Sequence, residues 1–436
     1  MRISRIPVLL VAAGILSAAA ESPYGVEVVE CVTAAQDLRF NNPNNVLGEP
    51  KRFVNIYSGS WGGVGYSDVY GGVVHPAVPA YSGGIHLTLA SPDDEEPGYV
   101  VIAFDHDVLD DPDNPFGVDF IVFGNAGCTK STTTGMTALD DPATCRLTAY
   151  GFPEESVVEV AQNPNGPWYG SSRWRTSDGF APTLGHRYDP ENPDTSLYSG
   201  NRWWGAPTDP TFPVDPRISF SNCAGLTLAE LCQRYNGSAG GTGYDLEHAI
   251  DEDGNELPAD AAHGERKWFR YVRISCAYSE EPNEDGDFGF TEPEVDAVAD
   301  VRPATGYERW RERYYTDWAT AWQATPEAIA ANGLPNGLNC VYGLAPTDQV
   351  TANVPFKVVS FEPGETEHVI KMLSPTQMTA PPSGLVVKET ASLGAGWKSV
   401  KPTLQSSESQ GNGTWLNTFT VPKGEGAFFK LALDGE

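Results

Sequence analysis

Beyond its first twenty residues the chain has no run approaching the ~20 apolar residues that a helix needs to span a bilayer, so no transmembrane helix is expected after the N-terminus. Basic side chains are scarce. Lys and Arg number 28 against 58 Asp and Glu, and the resulting net charge of −30 repels phosphate backbones, which argues against nucleic acid as a partner. Neither a C-x-x-C nor a paired-histidine motif occurs, so no zinc pattern is present. G-x-S-x-G, H-E-x-x-H and P-loop signatures are also missing, which removes the common hydrolase and nucleotide-binding motifs. Long helices are excluded in a different way, because 45 glycines and 35 prolines interrupt the chain too often.

What remains is a succession of short β-type runs, over 85–89, 99–104, 118–123, 157–160, 268–276 and 295–301. Several are apolar at consecutive positions rather than alternating, as expected of strands covered on both faces. The N-terminus has the form of a secretory signal peptide over 1–20. Arg2 and Arg5 precede an apolar centre, and Ser17-Ala18-Ala19-Ala20 supplies small residues for cleavage. Export to the cell surface, the extracellular space or the periplasm permits disulfides. Among the seven cysteines, Cys128 with Cys145 and Cys223 with Cys232 would each close a short polar loop; Cys31, Cys276 and Cys340 would supply a third pair and one thiol left over.

Two segments carry a resemblance. Gly117-Val118-Asp119-Phe120-Ile121-Val122-Phe123-Gly124-Asn125 is followed by Gly243-Tyr244-Asp245-Leu246, by Tyr271-Val272-Arg273-Ile274, and by Phe288-Gly289-Phe290 leading to Asp296-Ala297-Val298. Together with Asn45-Val46-Leu47-Gly48-Glu49-Pro50 they resemble a jelly-roll-like β-sandwich module of bacterial exported and cell-surface proteins. The resemblance covers nearly all of 25–302 and implies a mainly β fold. Gly124 departs from it, standing where that family commonly has Glu, which removes a possible ligand carboxylate. Asn332-Gly333-Leu334-Pro335-Asn336-Gly337-Leu338 and Tyr342-Gly343-Leu344-Ala345-Pro346 resemble the linker before small C-terminal β domains of such proteins. The expected layout is therefore a signal peptide over 1–20, a sandwich over 25–302, an aromatic helix and linker over 303–346, and a small β domain over 347–436.

Tyr307, Trp310, Tyr314, Trp318 and Ala321 or Trp322 recur at three- or four-residue spacing, which predicts a helix over 306–331 ending near Asn332-Gly333. Its aromatic face reads as packing against the sandwich, with a sugar platform as the alternative.

Two acidic segments offer hard oxygen donors of the kind calcium takes, six to eight at a time. One contains Asp105, Asp107 and Asp110; the other contains Asn283, Asp285 and Glu294, spaced as the first, third and twelfth positions of a calcium loop. A structural calcium is expected at one of them. For a ligand, Gly-bordered loop tryptophans suit the apolar faces of sugar rings. Trp61, Trp203 and Trp204, with Asn201 and Arg202 between the neighbouring glycines, are the candidates. The expected function is an exported cell-surface binding or adhesion protein that recognises a polysaccharide. A polysaccharide hydrolase or lyase using loop carboxylates, and a purely structural envelope protein, are the alternatives.

Overall fold

The computed structural model of the protein describes residues 21–35, 40–50, 60–61, 64–65, 86–92, 96–131, 134–135, 141–151, 153–174, 176–196, 201–279, 289–341, 343–348, 357–374, 378, 381, 385–390, 398–410, 415–424 and 428–433. The segment 1–20, Asn283 and Asp285 lie outside them. Strand outweighs helix, 37% to 14%, so the protein is mainly β.

All paired strands are antiparallel. The first sheet runs in the order β1 (Glu27–Val32), β2 (Tyr99–Leu109), β6 (Arg266–Cys276) and β4 (Ser156–Ala161). A second, of three strands, centres on β3 (Phe120–Phe123), flanked by β5 (Thr242–Tyr244) and β7 (Ala297–Asp300). One apolar core joins them. Val100, Ile102 and Phe104 of β2 and Phe269, Val272 and Ile274 of β6 meet Phe120 and Val122 of β3, Tyr244 of β5 and Val298 of β7. The opposite face of β3 is covered too, since Ile121 and Phe123 pack with Ala239, Ala297 and Ala299. Burial on both faces accounts for the unbroken Phe-Ile-Val-Phe run, and for the five consecutive buried residues at the start of β2.

Rings hold the centre. Phe120 stacks on Tyr244 at 4.8 Å and meets Phe269 edge-on at 4.9 Å and Trp174 at 5.7 Å, geometries that add to the burial of the rings themselves. Asp119, next in the chain, is fully buried. Its carboxylate accepts the Leu246 amide at 2.8 Å, the Asp111 amide at 3.1 Å and the Asn114 side-chain amide at 3.0 Å, tying the entry of β3 to the exit of β5. Burial nevertheless pushes its pKa up to about 8.

Between β4 and β5 the chain builds a second core around α1 (Leu228–Tyr235). Leu228, Leu231, Cys232 and Tyr235 share its inner face, and Thr227 and Glu230 close its N-terminus as a capping box. Cys128, Cys223 and Cys232 are buried in this same cluster with Cys145 against it. None of the seven cysteines is in a disulfide here, so the expected pairs 128–145 and 223–232 are not formed; burial instead pushes the Cys223 and Cys232 thiols up to about 12.

The aromatic helix is shorter than its spacing predicts. It is α2 (Gly306–Tyr314), capped by Thr305 and Glu308, and the chain leaves it at Tyr315. Asp317 then turns the backbone by accepting the Ala319 amide at 3.1 Å, while Arg217 donates to the Thr316 carbonyl. Tyr307 and Trp310 belong to a core separate from that of the first two sheets. They pack against Ile370 and Met372 of β9 (Glu367–Ser374), Val387 of β10 (Leu385–Thr390) and Phe419 and Val421 of β12 (Trp415–Pro422). In the C-terminal strands β8 (Lys357–Glu362) pairs with β9, β9 with β12, and β12 with β11 (Thr403–Ser409), while β10 pairs with β13 (Phe428–Leu433). The linker asparagines are structural. Asn332 and Asn339 exchange amide hydrogen bonds at 2.8 and 3.2 Å beside α3 (Asn336–Val341), and buried Asn336 accepts the Tyr315 hydroxyl at 2.6 Å.

Replacing Phe120 by Ala should cost ~3–5 kcal/mol, the range for removing a buried aromatic ring. Urea unfolding checks this, and an unchanged midpoint would show that the ring cluster does not hold the sheets together.

Candidate functional site

Three carboxylates that are distant in sequence converge at one edge of the first core. Glu154 immediately precedes β4, Asp178 lies in the loop that follows β4, and Glu294 sits on a short strand, Glu294–Val295, paired with Leu87–Thr88. Each offers an oxygen within 4.8 Å of the other two. The backbone fixes them. Glu154 donates its amide to the Asp178 carbonyl at 3.0 Å, and the two Asp178 oxygens accept the Ala126 amide at 2.6 Å and the Glu294 amide at 3.4 Å.

Asp178 is fully buried, and Glu154 Oε2 is buried without a hydrogen-bond partner. Gly124 explains how Asp178 fits, since a Cβ there would stand 2.6 Å from its Oδ1 and 2.9 Å from its Cα. Burial raises all three acids. It carries Glu154 to about 7 and Asp178 to about 6, and repulsion from both lifts Glu294 well above the ordinary carboxylate range.

Three such groups cannot all stay ionised without compensation, which leaves two chemical options: shared protons or a cation. Oxygens on opposite sides of a calcium ion lie about 4.8 Å apart, twice the coordination distance of about 2.4 Å. The trio's oxygens lie within that distance of one another, a grouping in which a metal ion could be held.

Of the expected ligands among the described residues, Glu294 alone belongs to this group. Asp105, Asp107 and Asp110 do not converge, because β2 bulges: Ala103 pairs with Tyr271 and Val108 with Phe269, so Phe104 to Asp107 are looped out between two partner positions. Each bulged aspartate has a basic partner instead. His106 bridges Asp105 and Asp300 at 2.9 Å on both sides, while Asp107 accepts Arg270 at 2.8 Å and His263 at 3.1 Å. A second acidic group, Asp245, Glu247 and His248, is a helical cap in which Asp245 accepts the Glu247 amide at 2.8 Å.

The loop tryptophans are also redistributed. Trp204 is fully buried in the core around α1 and cannot stack on a ligand. Asn201 is the clamp that shapes its turn, its amide accepting the Trp203 and Trp204 N–H groups at 3.2 and 3.1 Å and donating to the Trp204 carbonyl at 2.7 Å. Trp203 is half-buried against the same core, with exposed Arg202 over its ring at 5.6 Å. The side chain of Trp61 lies outside the described residues.

Sequence reasoning missed a cavity of about 200 Å³ between α1 and the segment after α2, walled by Phe116, Phe212, Tyr315, Trp318 and Trp322. Trp318 and Trp322 were visible in the sequence as part of a helical stripe. Only the early end of α2 frees them from it. No family model matches the chain, and neither a curated protein nor a solved structure does.

The raised carboxylates set a pH dependence. Glu154 and Asp178 hold protons in the folded state that the unfolded chain releases near pH 4, so their stabilising effect is complete below that pH. It is lost as pH rises through about 6 to 7. In EDTA, thermal melting should therefore decline across this window, and Asp178→Asn should flatten the decline. An equal slope in the variant would remove the trio as its source.

Proposed function

We propose that the protein is an exported, jelly-roll-like surface protein that binds a polysaccharide without cleaving it, with calcium as a structural ion at Glu154, Asp178 and Glu294. The cavity carries the binding part of this reading. Half-buried Trp318 and Trp322 and the Tyr315 ring offer flat apolar faces, and polar side chains border them, which is the pattern that suits a sugar ring. The acidic trio shares no residue with the cavity, so its part is to brace the fold.

Binding is preferred to hydrolysis because of Asp215. Cleavage by a carboxylate pair needs one ionised, accessible acid beside a protonated one. The cavity does contain Asp215 and Glu312, and burial raises Glu312 as a general acid would require. Asp215 is spoken for: its Oδ1 accepts the Arg217 amide at 3.0 Å and Nε at 2.9 Å, and its Oδ2 accepts Nη2 at 2.5 Å. Among the described residues that line the cavity, no carboxylate free of an ion pair is left beside Glu312 to activate water.

The wild-type chain should be retained on its cognate polysaccharide in affinity electrophoresis and release no reducing ends, and Trp322→Ala should weaken retention while leaving melting nearly unchanged. Release of reducing ends would move the protein to the hydrolases. Calcium at a hundredfold excess over Kd should stabilise the fold at pH 8 by about 2.7 kcal/mol relative to EDTA. Identical melting in both would exclude the structural ion.

A further inference from the structure

We infer that the cavity selects an acidic sugar, a uronic acid whose carboxylate is received by Arg311, an inference that rests on the cavity being a sugar site. Arg311 lies on α2, lines the cavity and is nine-tenths buried, at 9% exposure. Its neighbours on the helix are engaged: Arg309 pairs with Asp113 at 3.0 Å and Glu308 with Arg302 at 2.9 Å. Among the described residues no side chain or carbonyl makes a hydrogen bond or ion pair with the Arg311 guanidinium. Burial lowers the Arg311 pKa from the ordinary arginine value, yet a guanidinium keeps its charge at neutral pH and opens here into the cavity. It therefore wants an anion, and a planar carboxylate fits its fork.

Glu312 identifies what else the ligand carries. It lines the same cavity, with Oε2 accepting the Phe116 amide at 3.3 Å and Oε1 buried without a partner. Arg311 and Glu312 do not satisfy each other because consecutive helical residues point about 100° apart. Arg234 across the cavity has a buried Nε without a partner, while its Nη1 holds the Glu230 carbonyl at 3.1 Å.

The remaining charged pair, Arg217 with Asp215, is closed on itself. The cavity thus presents cationic donors, the Glu312 acceptor and two tryptophan faces, over one of which, Trp318, Arg234 already lies at 5.8 Å. An inorganic anion answers only the donors, and a neutral sugar gives Arg311 no partner in direct contact, its nearby charges being Glu308 and Glu312 on its own helix. A sugar acid answers all three: its carboxylate takes Arg311, a hydroxyl donates to Glu312, and its C–H face lies on the indoles. In a chain of net charge −30, such local positive character runs against the field of the whole molecule, which is reason to read it as a built feature.

Titration of the full chain with glucuronic acid, glucose and acetate, followed by tryptophan fluorescence and thermal melting, tests the assignment. Glucuronic acid should quench fluorescence and raise the melting temperature, glucose and acetate should do so at least tenfold more weakly, and Arg311→Met should lose about tenfold or more of the glucuronate affinity. Arg311→Lys, which keeps the charge but not the fork, should lie between. Equal binding of glucose and glucuronic acid, or an unaffected Arg311→Met, would overturn the acidic selection while leaving sugar binding in place. Acetate binding as tightly as glucuronate would overturn both readings, as would a wild type that responds to none of the three.

Discussion

A carboxylate taken out of water has to find donors, a counter-charge, a proton or a metal, and this strongly acidic chain meets that demand in a different way at each place where it folds. Asp119 is given three donors by the loops that bracket it, which fixes β3 against β5 and so seats the central ring cluster. Asp105, Asp107 and Asp300 receive basic partners from the bulge of β2 and from β6 and its approach. Among the described residues, Glu154, Asp178 and Glu294 are three acids left facing one another without a basic partner in the group. Their incomplete compensation is what sets them apart from the other acids, more than their number.

Much of the architecture was legible because burial on both faces leaves a mark in the sequence. The consecutive apolar residues of Phe120 to Phe123 can only be a covered strand or a buried helix, and four residues between turn signals decide for the strand. The C-terminal strands were readable from their spacing in the same way. One helix was readable and went unread. Thr227 and Glu230 form a capping box, Leu228, Leu231, Cys232 and Tyr235 keep a helical period, and Asn236 with Gly237 ends it, yet the glycine-rich surroundings suggested loops. The overlong aromatic helix is the opposite case. Its period continues through Trp318 and Trp322, but the Asp317 turn breaks the backbone that the period assumes.

The site was less legible, for reasons of distance. Glu154, Asp178 and Glu294 are brought together by pairing between strands far apart in the chain, and no local motif records that pairing. Gly124 was noticed as a departure from the resembling family, but what fills the space beside it comes from fifty residues downstream. The tryptophans of the Gly200-to-Gly205 segment mislead for a local reason: the same small residues that let a ring lie open also let a chain fold tightly over it, as Asn201 does around Trp204. Arg311 gave no signal at all, because an unpaired guanidinium looks in sequence like any other arginine on a charged helix.

Helix α2 follows β7 directly in the chain but spends its aromatic face on the C-terminal strands. That seam is where the chain could be divided. Recombination that kept the first 302 residues and exchanged the rest would carry away the aromatic helix together with the strands it covers. It would also take Arg311, Tyr315, Trp318 and Trp322 and leave Phe116, Phe212 and Arg234 behind. The two walls of the cavity would then have separate ancestries, and the shape and charge of the cavity would vary with the tail while the first core stayed as it was.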